Sequence, residues 1–225
     1  MNNGYFVTGT DTEIGKTYVS CALLHAFSNH SKRVSAMKPV ASGCHNSEQG
    51  LRNDDALQLI ASCEHSLPYE IINPYAFEPA IAPHIAAQQA DTTIDLLHLK
   101  QCFNTIAEQA DITIVEGAGG WLVPLDSQHS IADLAATLAL PVILVVGIKL
   151  GCINHALLTA AAIREKGVTL AGWVANRVDP DCACIEENIQ SITQRINAPC
   201  LGDLPFSPQM AAQERSRYLK IETLL

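Results

Sequence analysis

The residues most able to do chemistry in this sequence lie near its start, where an apolar run leads into Gly9 and then into Gly15-Lys16-Thr17. Glycine lets a loop turn its backbone N–H groups around phosphate oxygens, and the start of a helix adds partial positive charge. A lysine here reaches the β- and γ-phosphates of a nucleotide, and the hydroxyl of Thr17 suits Mg2+. Five residues separate Gly9 from Gly15, one more than in the common motif. The segment predicts a phosphate loop, and the alternative is a glycine-rich turn with a surface lysine.

A second lysine, Lys38, ends the apolar segment 34–38 and stands directly before Pro39. Proline stops strand pairing and pushes the residue before it into extended geometry, so Lys38 is expected at the carboxyl end of a strand. In open α/β sheets that end faces the ligand. A lysine in this place is often only solvated. The neighbouring phosphate loop favours a functional role.

Acidic residues occur at two places where a cation would need them. Asp54 and Asp55 stand in the first turn of a predicted helix, where such side chains also act as caps. Glu116 follows the apolar residues 112–115 and precedes a run of glycines, so we expect it at the tip of a buried strand. Carboxylates are the hard ligands that Mg2+ prefers. These acids therefore predict a metal site beside the phosphate loop, and the alternative is ordinary acids at the ends of elements.

Apolar strands alternate with helical patterns along the chain, and these elements must hold the candidate residues. The continuous apolar run 141–146 is typical of a central parallel strand. Residues 69–83 are rich in proline and predict an irregular excursion, and the end of the chain is expected to be a polar tail. The pattern predicts an α/β fold with a central, mostly parallel β-sheet and helices on both faces. The predicted strands are 5–9, 34–38, 112–116, 141–146, 170–176 and 201–206, and the main helices are 17–27, 53–60, 95–110, 130–139, 156–166 and 185–196, with a further helix starting at Pro83.

Composition limits the class of protein. The chain has 225 residues, of which 48% are hydrophobic, and this size suits a single domain over residues 1–225. A formal net charge of −9 without clustered Lys and Arg argues against a nucleic-acid partner. Neither a signal peptide nor an apolar run of the ~20 residues that cross a bilayer is visible, so we expect a cytoplasmic protein without a membrane partner. The eight scattered cysteines do not form metal-binding pairs and predict reduced thiols.

Several separated stretches together resemble the dethiobiotin synthetase family, the ATP-dependent enzymes of biotin synthesis within the P-loop NTPase superfamily. The resemblance covers nearly the whole chain and weakens after Asp179. The extra residue of the phosphate loop is itself the form that the family has. The most specific matching stretches are 5–17, 38–43, 116–120, 149–155 and 172–176.

The resemblance implies closure of a ureido ring on 7,8-diaminononanoate with CO2 and ATP, through a carbamate and a carbamic-phosphoric anhydride. Lys38 would face the carbamate and Lys16 the phosphates, and the strand ends that carry them should adjoin. By resemblance, the Mg2+ ligands are Thr17, Asp55 and Glu116. The residues matched to the diamine substrate are Thr12, Ser42, Gly151, Cys152, Ile153 and Asn154. Those matched to ATP are Glu13, Ile14, Gly15, Lys16, Thr17, Tyr18, Asp55, Glu116, Gly117, Ala118, Gly119, Asn176, Arg177, Pro205, Phe206 and Ser207.

The family resemblance also implies a homodimer in which the turn Gly151–Asn154 of one chain meets substrate beside the phosphate loop of the other. The amide of Asn176 carries both a donor and an acceptor, as reading a purine edge requires. The rival hypothesis is a nucleotide-switch ATPase of the partitioning or iron-protein type, which has the same fold. Thr10 stands where such proteins usually carry a second lysine, which argues against the rival.

Overall fold

The structure, a computed structural model, describes residues 4–64 and 67–225. Residues 1–3, on which the expectation of no signal peptide partly depends, lie outside the described residues. The strands are β1 (Gly4–Gly9), β2 (Val34–Met37), β3 (Val40–Ser42), β4 (His45–Ser47), β5 (Gly50–Arg52), β6 (Tyr75–Phe77), β7 (Ile112–Gly120), β8 (Val142–Ile148), β9 (Leu170–Arg177) and β10 (Cys200–Leu204). The helices are α1 (Lys16–Asn29), α2 (Asp54–Ala61), α3 (Tyr69–Ile72), α4 (Pro83–Gln89), α5 (Leu96–Ala107), α6 (Ile131–Leu138), α7 (Cys152–Glu165), α8 (Ile185–Thr193) and α9 (Ala212–Arg215). Two 3-10 turns, Ser216–Tyr218 and Glu222–Leu224, follow α9.

Six strands form one parallel sheet in the order β10-β9-β8-β1-β7-β2. The predicted fold class is confirmed. Strand β7 lies between β1 and β2, so the expectation that the strand ends carrying the phosphate loop and Lys38 adjoin is wrong. Long-range pairing sets this order, and no local pattern encodes it.

Alternating side chains of the strands feed two cores, one on each face of the sheet. Phe6, Val115 and Leu144 pack on the face covered by α4 to α8. Their neighbours Val7 and Ile114 pack on the other face, against α1. Because successive residues of a strand point to opposite faces, a strand buried on both sides reads as one apolar run.

Three local expectations differ from the structure. Strand β7 continues to Gly120, so Glu116 lies within the strand and not at its tip. Strand β1 pairs with β7 on both sides of Glu116, from Gly4 to Gly9. The stretch predicted as irregular contains α3 and β6, and β6 pairs with β3 in a small parallel sheet. The tail is not simply polar, since three of its apolar side chains pack in the core beneath α1: Leu219, Ile221 and Leu224.

Among the described residues, no helix combines the length and apolar character that crossing a bilayer requires.

Candidate active site

The phosphate loop connects β1 to α1 and has the backbone geometry of an anion cradle. Gly15, which precedes α1, has a φ of 80°, and a Cβ there would collide with Nδ2 of Asn176. Glu13 also has a positive φ, 59°. Left-handed residues of this kind turn successive N–H groups toward one point. The loop therefore presents N–H groups and the start of a 14-residue helix to one cavity.

Lys16 is nearly buried at the first position of α1, and its Nζ donates to the carbonyl oxygen of Asp11, 3.1 Å away. Burial, followed by repulsion from Lys38, lowers the pKa of Lys16 to about 8. The ammonium thus stays close to its own loop, in reach of an anion that enters it.

Lys38 is the centre of a buried charge cluster that we call the Lys38 cluster: Lys38, Asp55, Glu116 and Thr17. The Nζ of Lys38 lies 2.6 Å from Glu116 Oε1 and 2.9 Å from Asp55 Oδ2. The hydroxyl of Thr17 donates to the same Glu116 oxygen over 2.9 Å. Three segments far apart in sequence therefore converge at the start of α1.

The charges of the Lys38 cluster stabilise one another. Burial alone would lower the pKa of Lys38, but the carboxylates of Glu116 and Asp55 outweigh burial and raise it above its ordinary value. Burial alone would likewise raise the pKa of Asp55, but Lys38 lowers it on balance. Both groups are therefore ionised at neutral pH. Glu116 is fully buried, and its second oxygen, Oε2, has no hydrogen-bond partner among the described residues.

A cavity of about 720 Å³ is lined by the phosphate loop and by Thr17, Lys38 and Asp55, whereas Glu116 lies behind them, fully buried, and does not line it. Thr12 and Ser42, the residues matched to the diamine, both line it, and the buried hydroxyl of Ser42 has no hydrogen-bond partner among the described residues. Ala118 and Gly119 also line it, whereas Gly117 is packed against Phe6. Sequence reasoning missed the largely apolar wall and two polar residues of this cavity, which are Ala80, Ile81, Ala82, Pro83, Val123, Asn53 and Gln58.

The acid in this cavity is Asp55 and not its neighbour. Asp54 points away, with its side chain 82% exposed and 3.5 Å from Nδ1 of His45. Asn53 is the N-cap of α2, since its side chain accepts from the N–H of Ala56. The cap is thus supplied by the asparagine, and Asp55 is left for the Lys38 cluster.

Among residues 4–64 and 67–225, no three His, Cys, Asp or Glu side chains group in a way that would hold a metal. A cation here would need the hydroxyl of Thr17 and oxygens of the ligand as well.

A second, smaller cavity of about 170 Å³ extends from the loop toward the end of β9. Asn176 lies in its wall, and its Nδ2 donates to the carbonyl oxygen of Ile14 over 2.8 Å. One of its N–H groups therefore supports the loop, and its oxygen and other N–H remain for a ligand. Ile14 contributes only backbone, since its side chain is buried. The walls hold Glu13, Gly15, Tyr18, Asn176, Arg177, Val178, Pro205, Phe206, Ser207, Pro208 and Arg215, of which the first three also line the larger cavity.

Arg177 is already paired within the chain. Its guanidinium binds both carboxylate oxygens of Asp203, at 2.9 and 2.6 Å, and lies 3.3 Å from Glu186. These contacts raise the pKa of Arg177, mainly through the hydrogen bonds to Asp203. The arginine thus presents its aliphatic part and its backbone to the smaller cavity more than its charge.

The turn Gly151–Asn154 lines neither cavity. It begins beside the phosphate loop, where Nζ of Lys149 lies 3.4 Å from Oδ2 of Asp11. The side chain of Cys152 is buried, and its N–H donates to the carbonyl oxygen of Lys149 over 3.0 Å. The N–H groups of Ile153 and Asn154, in the first turn of α7, are the ones that a carboxylate could meet.

The chain matches a family described as an AAA domain over residues 3–214. It is 55% identical to the ATP-dependent dethiobiotin synthetase BioD of Pseudomonas aeruginosa strain UCBPP-PA14, over 89% of each chain. The corresponding protein of Nitrosospira multiformis is 52% identical over 98% of this chain and 96% of that one.

Solved structures of lower sequence identity have the same fold. MinD in the MinC:MinD complex of Aquifex aeolicus matches 97% of this chain and 87% of that one, with a TM-score of 0.58 and 15% identity. A ParA family ATPase from Chlorobium tepidum matches 98% and 91%, with a TM-score of 0.56 and 17% identity. At such identities the match concerns the fold alone. The identities to the curated relatives, over nearly their full length, decide the family: this chain belongs to the ATP-dependent dethiobiotin synthetases.

Proposed function

We propose that this chain closes a ureido ring on 7,8-diaminononanoate with CO2 and ATP, giving dethiobiotin, ADP and phosphate in biotin synthesis. The observation that carries the proposal is the buried ammonium of Lys38 in the wall of the larger cavity, beside the phosphate loop. A site that brings a triphosphate and a second anion together needs fixed positive charge where they meet.

The reaction has three steps. One amine of the substrate attacks CO2, forming a carbamate and releasing a proton. A carbamate oxygen then attacks the γ-phosphorus of ATP, so that ADP leaves and a carbamic-phosphoric anhydride remains. The second amine attacks the anhydride carbon and loses a proton, the bond between that carbon and the phosphate oxygen breaks, and phosphate leaves as the ring closes. The second step brings two anions together, and Lys38 on the carbamate and Lys16 on the phosphates reduce their repulsion.

The larger cavity suits a diamine with an alkyl chain. Thr12 and Ser42 supply hydroxyls close to the Lys38 cluster, and the unpaired hydroxyl of Ser42 is free to accept a hydrogen bond from an amine. The wall 80–83 gives apolar surface for the methylene groups. Binding of the substrate's alkyl chain against this wall can therefore orient the two amines for successive attacks.

A Mg2+ ion fits the residues present. Thr17, Asp55 and Glu116 offer hard oxygen ligands, and the unpartnered Oε2 of Glu116 is an acceptor left for a ligand. When bound, Mg2+ would neutralise charge on the phosphates. Lys38 donates to one oxygen of each carboxylate, Asp55 Oδ2 and Glu116 Oε1, and so orients both side chains.

The nucleotide base is assigned to the smaller cavity. Asn176 supplies an acceptor and a donor for its edge, and Pro205, Phe206 and Ser207 supply backbone and a ring for its face. Because Asn176 also holds the carbonyl of Ile14, base binding and loop position are mechanically connected.

We also propose that the enzyme works in the cytoplasm as a homodimer with two shared sites. Leu150, next to the turn Gly151–Asn154, is 97% exposed, and Leu158, in α7, is 61% exposed. Large apolar side chains left in water at one place indicate a covering partner. In a two-fold dimer, a facing α7 would bring Gly151–Asn154 to the cavity of the other chain.

The test of the proposed function uses labelled bicarbonate, ATP, Mg2+ and the diamine. We expect label in a cyclic urea that forms one-for-one with ADP, and neither product without the diamine. ATP hydrolysis that proceeds at the same rate without the diamine would contradict the proposal and favour a nucleotide switch of the MinD or ParA kind.

A further inference from the structure

Arg215 is the most buried arginine of the smaller cavity, with 2% of its surface exposed. It lies in α9, a one-turn helix that packs against α1. Within the described ranges, no carboxylate forms a salt bridge with it. A buried guanidinium without a counter-charge is costly unless its donors are satisfied, so its other contacts must hold it there.

Two of these contacts fix the loop that follows β10. The Nε of Arg215 donates to the carbonyl oxygen of Met210 over 3.0 Å, and Nη2 donates to the carbonyl oxygen of Ser207. The N–H of Met210 in turn donates to Ser207, closing a turn of the backbone. One side chain therefore holds both ends of the turn 207–210.

The third contact reaches the phosphate loop. The guanidinium lies over the ring of Tyr18, with Cζ 4.5 Å from the ring centroid. Tyr18 is in the first turn of α1, two residues after Lys16. The flat, delocalised guanidinium can stack on a ring and donate at its edge at the same time, which an ammonium cannot do.

The three contacts connect the two walls of the smaller cavity. One wall contains Tyr18, in the helix turn that directly follows the phosphate loop, and the other wall contains Phe206 and Ser207. The distance between these walls sets the space for a flat base. We propose that Arg215 is a positioning residue that fixes the base-binding wall against the phosphate loop and so sets the affinity for the nucleoside part of ATP. The inference depends on the proposed ATP-dependent function.

The experiment compares Arg215→Met with Arg217→Met, a matched control on an exposed arginine two residues away. Binding of ADP and of inorganic tripolyphosphate is measured by calorimetry on the full-length protein. Arg215→Met should weaken ADP binding roughly tenfold, because charged hydrogen bonds and a cation–π contact are lost. Binding of tripolyphosphate, which needs only the phosphate loop, should stay unchanged, and Arg217→Met should resemble the wild type in both.

Steady-state kinetics give a second measurement, the change in KM for ATP without a change in kcat, which a purely structural role of Arg215 would not produce. In Arg215→Met, KM for ATP should rise while kcat and KM for the diamine stay near wild type. Arg215→Lys keeps the charge and the apolar stem but lacks the planar guanidinium with its several donors. Its ADP affinity should therefore fall nearly as far as that of Arg215→Met. If Arg215→Met does not fold, Arg215→Lys carries the test alone.

Three results would overturn the inference. They are unchanged ADP affinity in a folded variant, an equal loss for ADP and tripolyphosphate, and a loss in Arg217→Met as large as in Arg215→Met. Failure of the wild type to bind ADP would instead contradict the proposed function, so the two failures can be told apart.

Discussion

At the scale of single residues, the Lys38 cluster is a balance of charges that one substitution upsets. Lys38 is nearly buried and Glu116 is fully buried. Asp55 adds a second carboxylate beside Lys38. Removing one partner of a buried pair leaves the other charge without compensation, which usually costs about 3 kcal/mol or more. The three side chains therefore have to be considered together when a variant is designed.

Lys38→Met should reduce ring formation at least a hundredfold, because a transition-state contact of this kind is worth ~3 kcal/mol. ADP affinity should change little, since Lys16 and the loop bind the phosphates. Product formation and calorimetric ADP binding check this.

Lys100→Met, on the exposed face of α5, is the matched control and should behave as wild type. Thermal melting of both variants separates lost chemistry from lost folding. An equal loss of ring formation and ADP binding in Lys38→Met would refute the division of roles between the two lysines. A loss of only about tenfold would indicate a lysine without a transition-state contact.

The proposed metal ligands can be tested by the Mg2+ dependence of the reaction. Glu116→Gln and Asp55→Asn should each raise the Mg2+ concentration needed for half-maximal rate, because a hard cation binds a neutral amide less well. Asp54→Asn is the matched control, since Asp54 is 82% exposed and faces His45. A curve moved by Asp54→Asn and not by Asp55→Asn would show that the wrong acid has been assigned.

At the scale of elements, α6 shows how one helix start is secured beneath the glycine-rich part of β7. Ser130 and Asp133 form a capping box, in which the N–H of Ser130 donates to Asp133 over 2.8 Å. Lys166 lies 2.6 Å from the other oxygen of Asp133. Burial alone would raise the pKa of Asp133, but hydrogen bonds from Lys166 and Ser130 lower it to about 2. The ionised carboxylate is thus the form that the fold prefers.

Asp133→Asn should lower the free energy of unfolding at pH 7 by about 1 kcal/mol, the usual value of a cap. The pKa of Asp133 is lower in the folded state than in the unfolded state. The contribution is therefore complete above the unfolded value of 3.8 and is lost as pH falls toward 2. Urea unfolding at pH 7 and pH 3 measures the difference, which should shrink at pH 3. Asp181→Asn, on an exposed loop, should show no difference at either pH.

At the scale of the whole molecule, the proposed homodimer concerns residues that one chain does not bring into one cavity. The phosphate loop, three members of the Lys38 cluster (Thr17, Lys38 and Asp55) and the apolar wall 80–83 share one cavity, but Gly151–Asn154 does not line it. The exposed Leu150 next to this turn is the surface that a second chain would cover. A shared site makes the activity of mixed dimers predictable.

Mixed dimers of Lys38→Met and Asn154→Asp should recover activity that neither variant has alone. Asn154→Asp sets a negative charge against the carboxylate of the substrate. A mixed dimer would have one site with both changes and one site with neither. After the two variants are unfolded and refolded together in equal amounts, roughly a quarter of wild-type activity should return.

The control is refolding of each variant alone, which should give no recovery. If mixed dimers form, as shown by a tag on one variant, and activity does not return, the turn Gly151–Asn154 serves the lysine of its own chain. That result would refute the shared site.

The sequence by itself determined the local parts of this protein. Strand, loop and helix around Lys16, the cap at Ser130 and the apolar run of β8 are written in neighbouring residues, so periodicity and turn chemistry predict them. The family resemblance then selected part of the walls of both cavities, among them Thr12, Lys16, Ser42, Asn176 and Phe206. Chemistry that depends on residue type at a fixed spacing was therefore predictable.

Only the tertiary structure decided how these parts meet. It placed β7 between β1 and β2, set Glu116 inside a strand, paired Asp55 with Lys38 while Asp54 faces solvent, and buried Leu219 and its neighbours in the tail. It also brought Arg215 onto Tyr18, 197 positions away in the numbering. These contacts join residues far apart in sequence, and their formation depends on which surfaces remain to be buried once the sheet has formed. A local pattern contains no information on that choice.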